Sequence, residues 1–149
     1  MRVYLDNCCY GRPYDDQANK RIISETQSIL NIRKRIRNGD IELATSYILH
    51  YENNRKKNID VRDKIAEFMS KNRSIHIGID NVEKLTEMTA KIMKTGIKNN
   101  DAYHLASAIL ANCDYFLTTD DRLLKYQTNE IKLLNPVDFN KFLEANDDV

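Results

Sequence analysis

Four carboxylates stand where they could act together: Asp6, Glu52, Asp101 and Asp120. Asp6 closes a short β-prone run, Val3-Tyr4-Leu5. Asp101 falls in the first turn of an expected helix rich in alanine, with Leu105, Ala106, Ala108 and Ile109 on its buried face. That helix leads into a second β-prone run, Tyr115-Phe116-Leu117, which closes on Thr118-Thr119-Asp120-Asp121. Glu52 lies in the second turn of another expected helix. Each acid alone has an ordinary explanation. Asp6, Asp120 and Asp121 suit turns, Asp101 suits a helix N-terminus, and Glu52 suits a solvated helix face. Together they suggest more. Carboxylates held close repel one another and raise each other's pKa, so a fold keeps such a group where a cation neutralises it. Oxygen-only ligands suit Mg²⁺ or Mn²⁺, which take a few carboxylates and the oxygens of a substrate phosphate. A metal held there can generate hydroxide and stabilise charge on a phosphodiester during in-line displacement. The chemistry implied is hydrolysis of a nucleic acid without a covalent protein intermediate.

The elements that must position these acids can be read along the chain. Arg2 to Asp6 reads as a strand and Asn7 to Asn19 as a loop. A long helix is expected from about Gln17 to Asn38, with Ile22, Ile23, Thr26, Ile29, Leu30, Arg33 and Ile36 at helical spacing and Asn38-Gly39 as its stop. Ile41 to Thr45 reads as a strand, and Ser46 as the N-cap of a helix to about Lys57. Asp60 could cap a helix through Met69. Ser74 to Ile79 is a third strand. Asp80 to Glu83 resembles a capping box for a helix to about Thr95, with Val82, Leu85, Thr89, Ile92 and Met93 as its stripe. After the helix and strand around Asp101 comes a short helical turn at Arg122 to Tyr126. A strand at Ile131 to Leu134 follows, then a last helix after Pro136. Glu144 to Val149 reads as a frayed tail. Strands separated by helices, several of them apolar throughout, predict a three-layer α/β/α domain around a mostly parallel sheet. In such sheets ligands gather beyond the carboxyl ends of the strands, where the strand order reverses. If the strands ending at Asp6 and Asp120 are neighbours there, their acids face one crevice.

The totals fit one domain spanning all 149 residues. A net charge of +1 gives no global basic field, so nucleic-acid contact would have to come from local patches. No apolar run approaches the roughly 20 residues that cross a bilayer, and no membrane association is expected. The start, Met-Arg-Val-Tyr-Leu-Asp, does not read as a signal peptide. Three cysteines, two of them adjacent (Cys8 and Cys9), make a poor disulfide framework and fit free thiols in a reducing cytoplasm. The basic clusters are Arg33-Lys34-Arg35 with Arg37, and Arg55-Lys56-Lys57 following Glu52. Either is a solvated helix face or a phosphate contact, and phosphate contact would make binding fall steeply with salt. Arg12, Arg55, Lys56 and Lys98 are the candidates for phosphate contact. His104, three residues after Asp101 on the same face, is either a packed histidine or a group that orients an acid or meets a phosphate. His50 and His76 show no partner spacing.

Four pieces of the chain, in order, resemble the PIN domain, the nuclease fold that includes VapC-type toxins. They are VYLDNCC at the start, TSYILHYEN around Glu52, NNDAYHLASAILANCDYFLTTDD, and the closing strand Ile131 to Asn135. The third is the most specific: an acid opening an alanine-rich helix, then a hydrophobic strand ending in T-x-D. The resemblance implies a sheet ordered 3-2-1-4-5, which makes strands one and four neighbours. It places the metal-binding, catalytic acids on Asp6, Glu52, Asp101 and Asp120, with Asn7, Asp121 and His104 in support. It implies a Mg²⁺- or Mn²⁺-dependent ribonuclease acting on single-stranded or structured RNA, often the toxin of a toxin–antitoxin pair, commonly a homodimer silenced by a small antitoxin. Two related roles stay open: an RNA-processing nuclease without an antitoxin, and an inactive PIN module that binds or scaffolds. Many PIN domains follow the first aspartate with Thr or Ser and then Asn, whereas Asn7 and Cys8 stand here. A phosphatase using Asp6 as nucleophile would want a second aspartate at position 8, where Cys8 stands.

Overall fold

The computed structural model describes residues 1–147. A five-stranded parallel sheet in the order 3-2-1-4-5 forms the middle layer. Its strands are β1 (Arg2–Leu5), β2 (Glu42–Ser46), β3 (Arg73–Ile77), β4 (Tyr115–Leu117) and β5 (Lys132–Leu134). Every pairing is parallel, with Val3 opposite Leu43 on one side and Tyr115 on the other. The central strand is β1, and its Val3, Tyr4 and Leu5 are fully buried. That is why it lacks polar alternation: both of its faces are covered by helices. The carboxyl ends of β1 and β4 lie side by side at the point where the strand order reverses, as the crevice requires.

The helices are α1 (Asn7–Gly11), α2 (Lys20–Arg37), α3 (Tyr47–Asn54), α4 (Ile59–Asn72), α5 (Val82–Met93), α6 (Asn99–Leu110) and α7 (Pro136–Asp147). Two decide the site. Ser46 ends β2 and caps α3, its hydroxyl accepting from Leu49 N, so Glu52 is delivered to the carboxyl edge of the sheet. In α6, Ala102, Leu105, Ala106 and Ala108 are fully buried. The small alanine side chains let the helix lie close on the sheet and on α5, leaving Asp101 in its first turn at the same edge.

Several sequence expectations need correction. The segment Asn7 to Asn19 is not all loop. Asp6 caps α1, and a 3₁₀ turn follows at Arg12–Tyr14 with Pro13 at its start. Burial of Cys9 and Tyr10 against the core favours a helix over a loop there. The long helix begins at Lys20 rather than Gln17, because Asn19 accepts from both Arg21 N and Ile22 N. Its buried face holds Thr26, Ile29, Arg33 and Ile36 as expected, but Ile23 and Leu30 are exposed and Glu25 is buried in addition. Asn58, not Asp60, caps α4 through Val61 N. The third strand ends at Ile77, and Ile79 starts a 3₁₀ turn. No side chain caps α5, and Val82 and Met93 at its ends are exposed, leaving Leu85, Thr89 and Ile92 as its buried stripe. At the other end, Glu144 to Asp147 are helical. They complete α7, where Asp147 pairs with Arg35 of α2. The remainder of that expected tail, 148–149, lies outside the described residues.

Candidate active site

Asp6 is nearly buried at the end of the central strand, only 7% exposed. Its backbone N–H extends the sheet by donating to Leu117 O at 2.9 Å. One carboxylate oxygen accepts from Asn7 N at 2.8 Å and the other from the Thr118 hydroxyl at 2.8 Å. The Thr118 oxygen in turn accepts from Asp120 N at 3.1 Å. One buried hydroxyl thus ties the acid at the end of β1 to the loop bearing the acid beyond β4. Cys8 flanks the pair: its Sγ is 3.5 Å from Asp6 Oδ2 and 3.4 Å from Thr118 Oγ1, and it accepts from Thr119 N at 3.4 Å. The Cys8 thiol is held below its usual pKa chiefly by its interaction with Cys9.

Asp101 is half-buried. Its pKa is raised first by burial, then by the charges of Asp6 and Asp120; His104 opposes the shift, and Glu52 adds to it. Asp101 therefore lies within reach of the charges of the other three predicted acids. Asp101 and Asp120 line a common cleft of about 260 Å³ with Lys98 and Arg122. Asp120 itself is exposed, three residues past the end of β4, and its carboxylate caps the next turn through Arg122 N at 2.9 Å and Leu123 N at 3.4 Å. Among the described residues, no three His, Cys, Asp or Glu side chains are drawn close enough to form a ready-made metal site. Each acid other than Asp101 is turned toward a protein partner instead.

Glu52 has a particular partner. His104 Nε2 hydrogen-bonds Glu52 Oε1, while His104 Nδ1 lies 2.7 Å from the Tyr4 hydroxyl, itself 2.6 Å from Ser46 Oγ. His104 is 1% exposed. Burial works against its charged form, but the Glu52 hydrogen bond and the charges of Asp6, Glu52 and Asp101 outweigh that, and its pKa ends above the usual value. The Tyr4 phenol is driven well up by burial and stays protonated. When His104 is protonated it donates to Glu52 and to the Tyr4 oxygen, which leaves the Tyr4 hydroxyl to donate to Ser46. His104 is thus an acid-orienting residue rather than one aimed at solvent, and it reads Glu52 from the core side.

The other expected residues divide. Asn7 accepts from Lys56 Nζ at 2.8 Å, so Lys56 stands beside the acid cluster. Burial lowers the Lys56 pKa, with Glu52 the first of the charges that oppose the shift. Lys98 occupies the N-cap position of α6 at the cleft. Arg55 lies over the Tyr51 ring at 5.8 Å. Asp121 is turned away. Arg21 grips it through two hydrogen bonds of 2.8 and 2.9 Å and also reaches Thr119 O. Arg12 is engaged by Asp15 and by the buried Glu25, each at 3.0 Å. Glu25 also takes Arg21 at 3.2 Å and Asn135 at 2.6 Å. This ion cluster joins the first loop, α2, the loop bearing Asp120 and the end of β5. Sequence reasoning missed Thr118, Tyr4, Ser46 and Glu25 as supports. The T-x-D pattern was the only signal for Thr118.

The PIN domain family model matches residues 19–129. The chain belongs to the PIN domain family. Glu52, Asp101 and Asp120 fall inside the matched stretch. Asp6 precedes it and is placed by the sheet. Among solved structures, the chain resembles VapBC2 from Rickettsia felis bound to a DNA fragment from its promoter, at 18% identity, covering 91% of this chain and 98% of that one, with a TM-score of 0.55. It also resembles FitAcB from Neisseria gonorrhoeae, at 19% identity over 90% and 97% of the two chains and a TM-score of 0.53. A structure of FitAB bound to an IR36 DNA fragment matches at 19% identity over 91% and 95%, with a TM-score of 0.58. At such identities the likeness is one of fold. No curated protein matches the sequence. Among the described residues, no helix is long and apolar enough to cross a membrane.

Proposed function

We propose that this PIN domain is a divalent-metal-dependent endoribonuclease, with Asp6, Glu52, Asp101 and Asp120 as its metal-binding acids. The observation that carries this is Asp101. Its carboxyl is pushed up by burial and then by the neighbouring charges of Asp6 and Asp120, so the crevice holds negative charge that the protein leaves under-neutralised. The donors there are carboxylate oxygens, which fit Mg²⁺ or Mn²⁺ rather than a softer metal. Such an ion, when bound, supplies a hydroxide nucleophile and charge stabilisation at a phosphodiester. The chain's own contribution is positioning. Thr118 and Asn7 N fix Asp6, and His104 holds Glu52 from the core side. Lys56 and Lys98 stand where substrate phosphates would approach, and the exposed Arg55, over the Tyr51 ring, is the further candidate. Arg12 has a scaffold role, since Glu25 and Asp15 already hold it.

The biological reading is a toxin in the cytoplasm, silenced by a small antitoxin and assembled as a homodimer. The VapBC2 and FitAB complexes support the antitoxin, since folds like this one occur there with partners. Exposed apolar side chains, Ile23 and Leu30 on α2 and the stacked Tyr47 and Tyr51 on α3, give assembly surfaces to cover. Unpaired Cys8, Cys9 and Cys113 suit a reducing compartment. The test is cleavage of a panel of RNAs by wild type and Asp101→Asn, with Mg²⁺, Mn²⁺ or EDTA. Metal-dependent cleavage lost in the variant supports the assignment.

A further inference from the structure

The two basic clusters of the sequence are not separate solvated faces. α2 and α4 flank a groove of about 560 Å³ lined by Arg33, Arg37, Lys64, Lys71, Phe68 and Tyr14. Tyr14 also lines the next concavity, of about 410 Å³, with Lys56 and Lys57. Lys56 donates to Asn7, the residue after Asp6. A basic path therefore leads from the acid crevice, past Tyr14, down the flank of the domain.

The lower groove is built for an anion. Arg33 is only 8% exposed, yet among the described residues it has no carboxylate partner, and its Nε lacks any hydrogen-bond acceptor. Its guanidinium stacks on the Phe68 ring at 4.3 Å, and Arg37 approaches the same ring at 5.6 Å. Taking a cation out of water without a counter-charge is costly unless an anion arrives. Burial, foremost, and the Arg37 charge hold Arg33 below its ordinary basicity, partly offset by the neighbouring hydroxyls of Tyr14 and Tyr10. The acids that line the path are already engaged: Glu67 by Lys71 at 2.6 Å and Asp15 by Arg12 at 3.0 Å. Lys64 on α4 adds an exposed positive charge to the groove, and Lys71, roughly 10 Å farther along the helix, adds one shared with Glu67. Tyr14 is 43% exposed on a turn stiffened by Pro13, the right placement for stacking a base.

We propose that this groove binds the backbone of a single-stranded RNA whose scissile phosphate lies in the acid crevice. The inference rests on the nuclease reading for the substrate class, but its test reads binding rather than cleavage. The probe is a fluorescein-labelled 12-nucleotide single-stranded RNA, and the protein is Asp101→Asn with Mg²⁺, so that the probe stays intact. Anisotropy titrations across 50–200 mM KCl compare it with the same protein carrying Arg37→Gln and Lys64→Gln, both at exposed positions. Losing two phosphate contacts should lower the slope of log affinity against log salt by about 1.4, at roughly 0.7 per contact. Tyr14→Ala should weaken binding roughly 5- to 100-fold and leave the salt slope in place. Circular dichroism confirms that each variant is folded; should the double variant not fold, Lys64→Gln alone should lower the slope by about 0.7. Unchanged affinity and slope in the folded variants would overturn the groove as an RNA site. So would retained RNA binding combined with lost binding of an acidic protein partner. Continued cleavage by Asp101→Asn would instead overturn the assignment of catalysis to the four acids, and would leave the binding result standing by itself.

Discussion

His104→Gln separates the positioning network from the acids themselves. The imidazole holds Glu52 on one side and the Tyr4 hydroxyl on the other, in a nearly fully buried position. A glutamine amide is shorter in reach and carries no charge. The charged bond to Glu52 is worth about 1.5–3 kcal/mol. The bond to Tyr4 adds about 1 kcal/mol, because Tyr4 keeps Ser46 as a partner. Glu52 is only half-buried and can take up water, so the larger penalty of an isolated buried charge does not apply. The expected loss is about 2–4 kcal/mol, a melting temperature lower by roughly 4–16 °C for a domain of this size. The pH dependence gives the sign. Because the folded pKa of His104 lies above its unfolded value, its contribution is fully present below about pH 6.5 and fades as pH rises through the folded pKa. Thermal melts of the metal-free proteins, followed by circular dichroism between pH 5.5 and 9, should show the widest gap between wild type and variant at the acidic end. A gap that is constant, or wider at alkaline pH, would refute the charged Glu52–His104 pair. Loss of Glu52 positioning should also cost about 10- to 100-fold in metal affinity or turnover.

Other expectations follow from the same geometry. Divalent metal should raise the wild-type melting temperature by roughly 5–11 °C at a hundredfold excess over its dissociation constant, since binding there adds about 2.7 kcal/mol; no shift at millimolar Mg²⁺ or Mn²⁺ would argue against a formed site. Glu25→Gln should destabilise by about 2–3 kcal/mol, measured by urea unfolding, because a buried carboxylate with three partners is lost while Arg12 and Arg21 each keep an aspartate. Asp121→Asn should leave the urea-unfolding midpoint almost unchanged, because its pair with Arg21 is exposed. In metal-free buffer, Asp101→Asn should melt at or above the wild-type temperature. A carboxyl with a raised folded pKa opposes folding once deprotonated, and the amide removes that opposition. A large drop would make Asp101 chiefly structural.

The candidate acids stood out in the sequence because they are local signals, whereas the strand order came only with the resemblance to the PIN domain. Apolar runs ended at acids, and the T-x-D and alanine-rich patterns spanned a single supersecondary unit. What it did not carry were choices made by distant partners. Glu25 meets Asn135, a residue 110 positions away, and Arg21 meets Asp121 across 100 positions. That ion cluster puts Glu25 on the buried face of α2, whereas counting apolar residues found Thr26, Ile29, Arg33 and Ile36 there but added the exposed Ile23 and Leu30. Asp121 looked as well placed as Asp120, yet Arg21 draws it away from the cleft. His104 was ambiguous until Tyr4 and Glu52 appeared on its two nitrogens. Arg33 read as one charge in a solvated run, and its burial against Phe68 is visible only once α2 and α4 are packed.

The most direct measurement is cleavage of single-stranded RNA by wild type and Asp101→Asn side by side, with and without Mg²⁺ or Mn²⁺. The four-acid crevice predicts metal-dependent cleavage by the wild type and its loss in a variant that remains folded. Equal cleavage by both proteins, or cleavage by the wild type undiminished in EDTA, would contradict it.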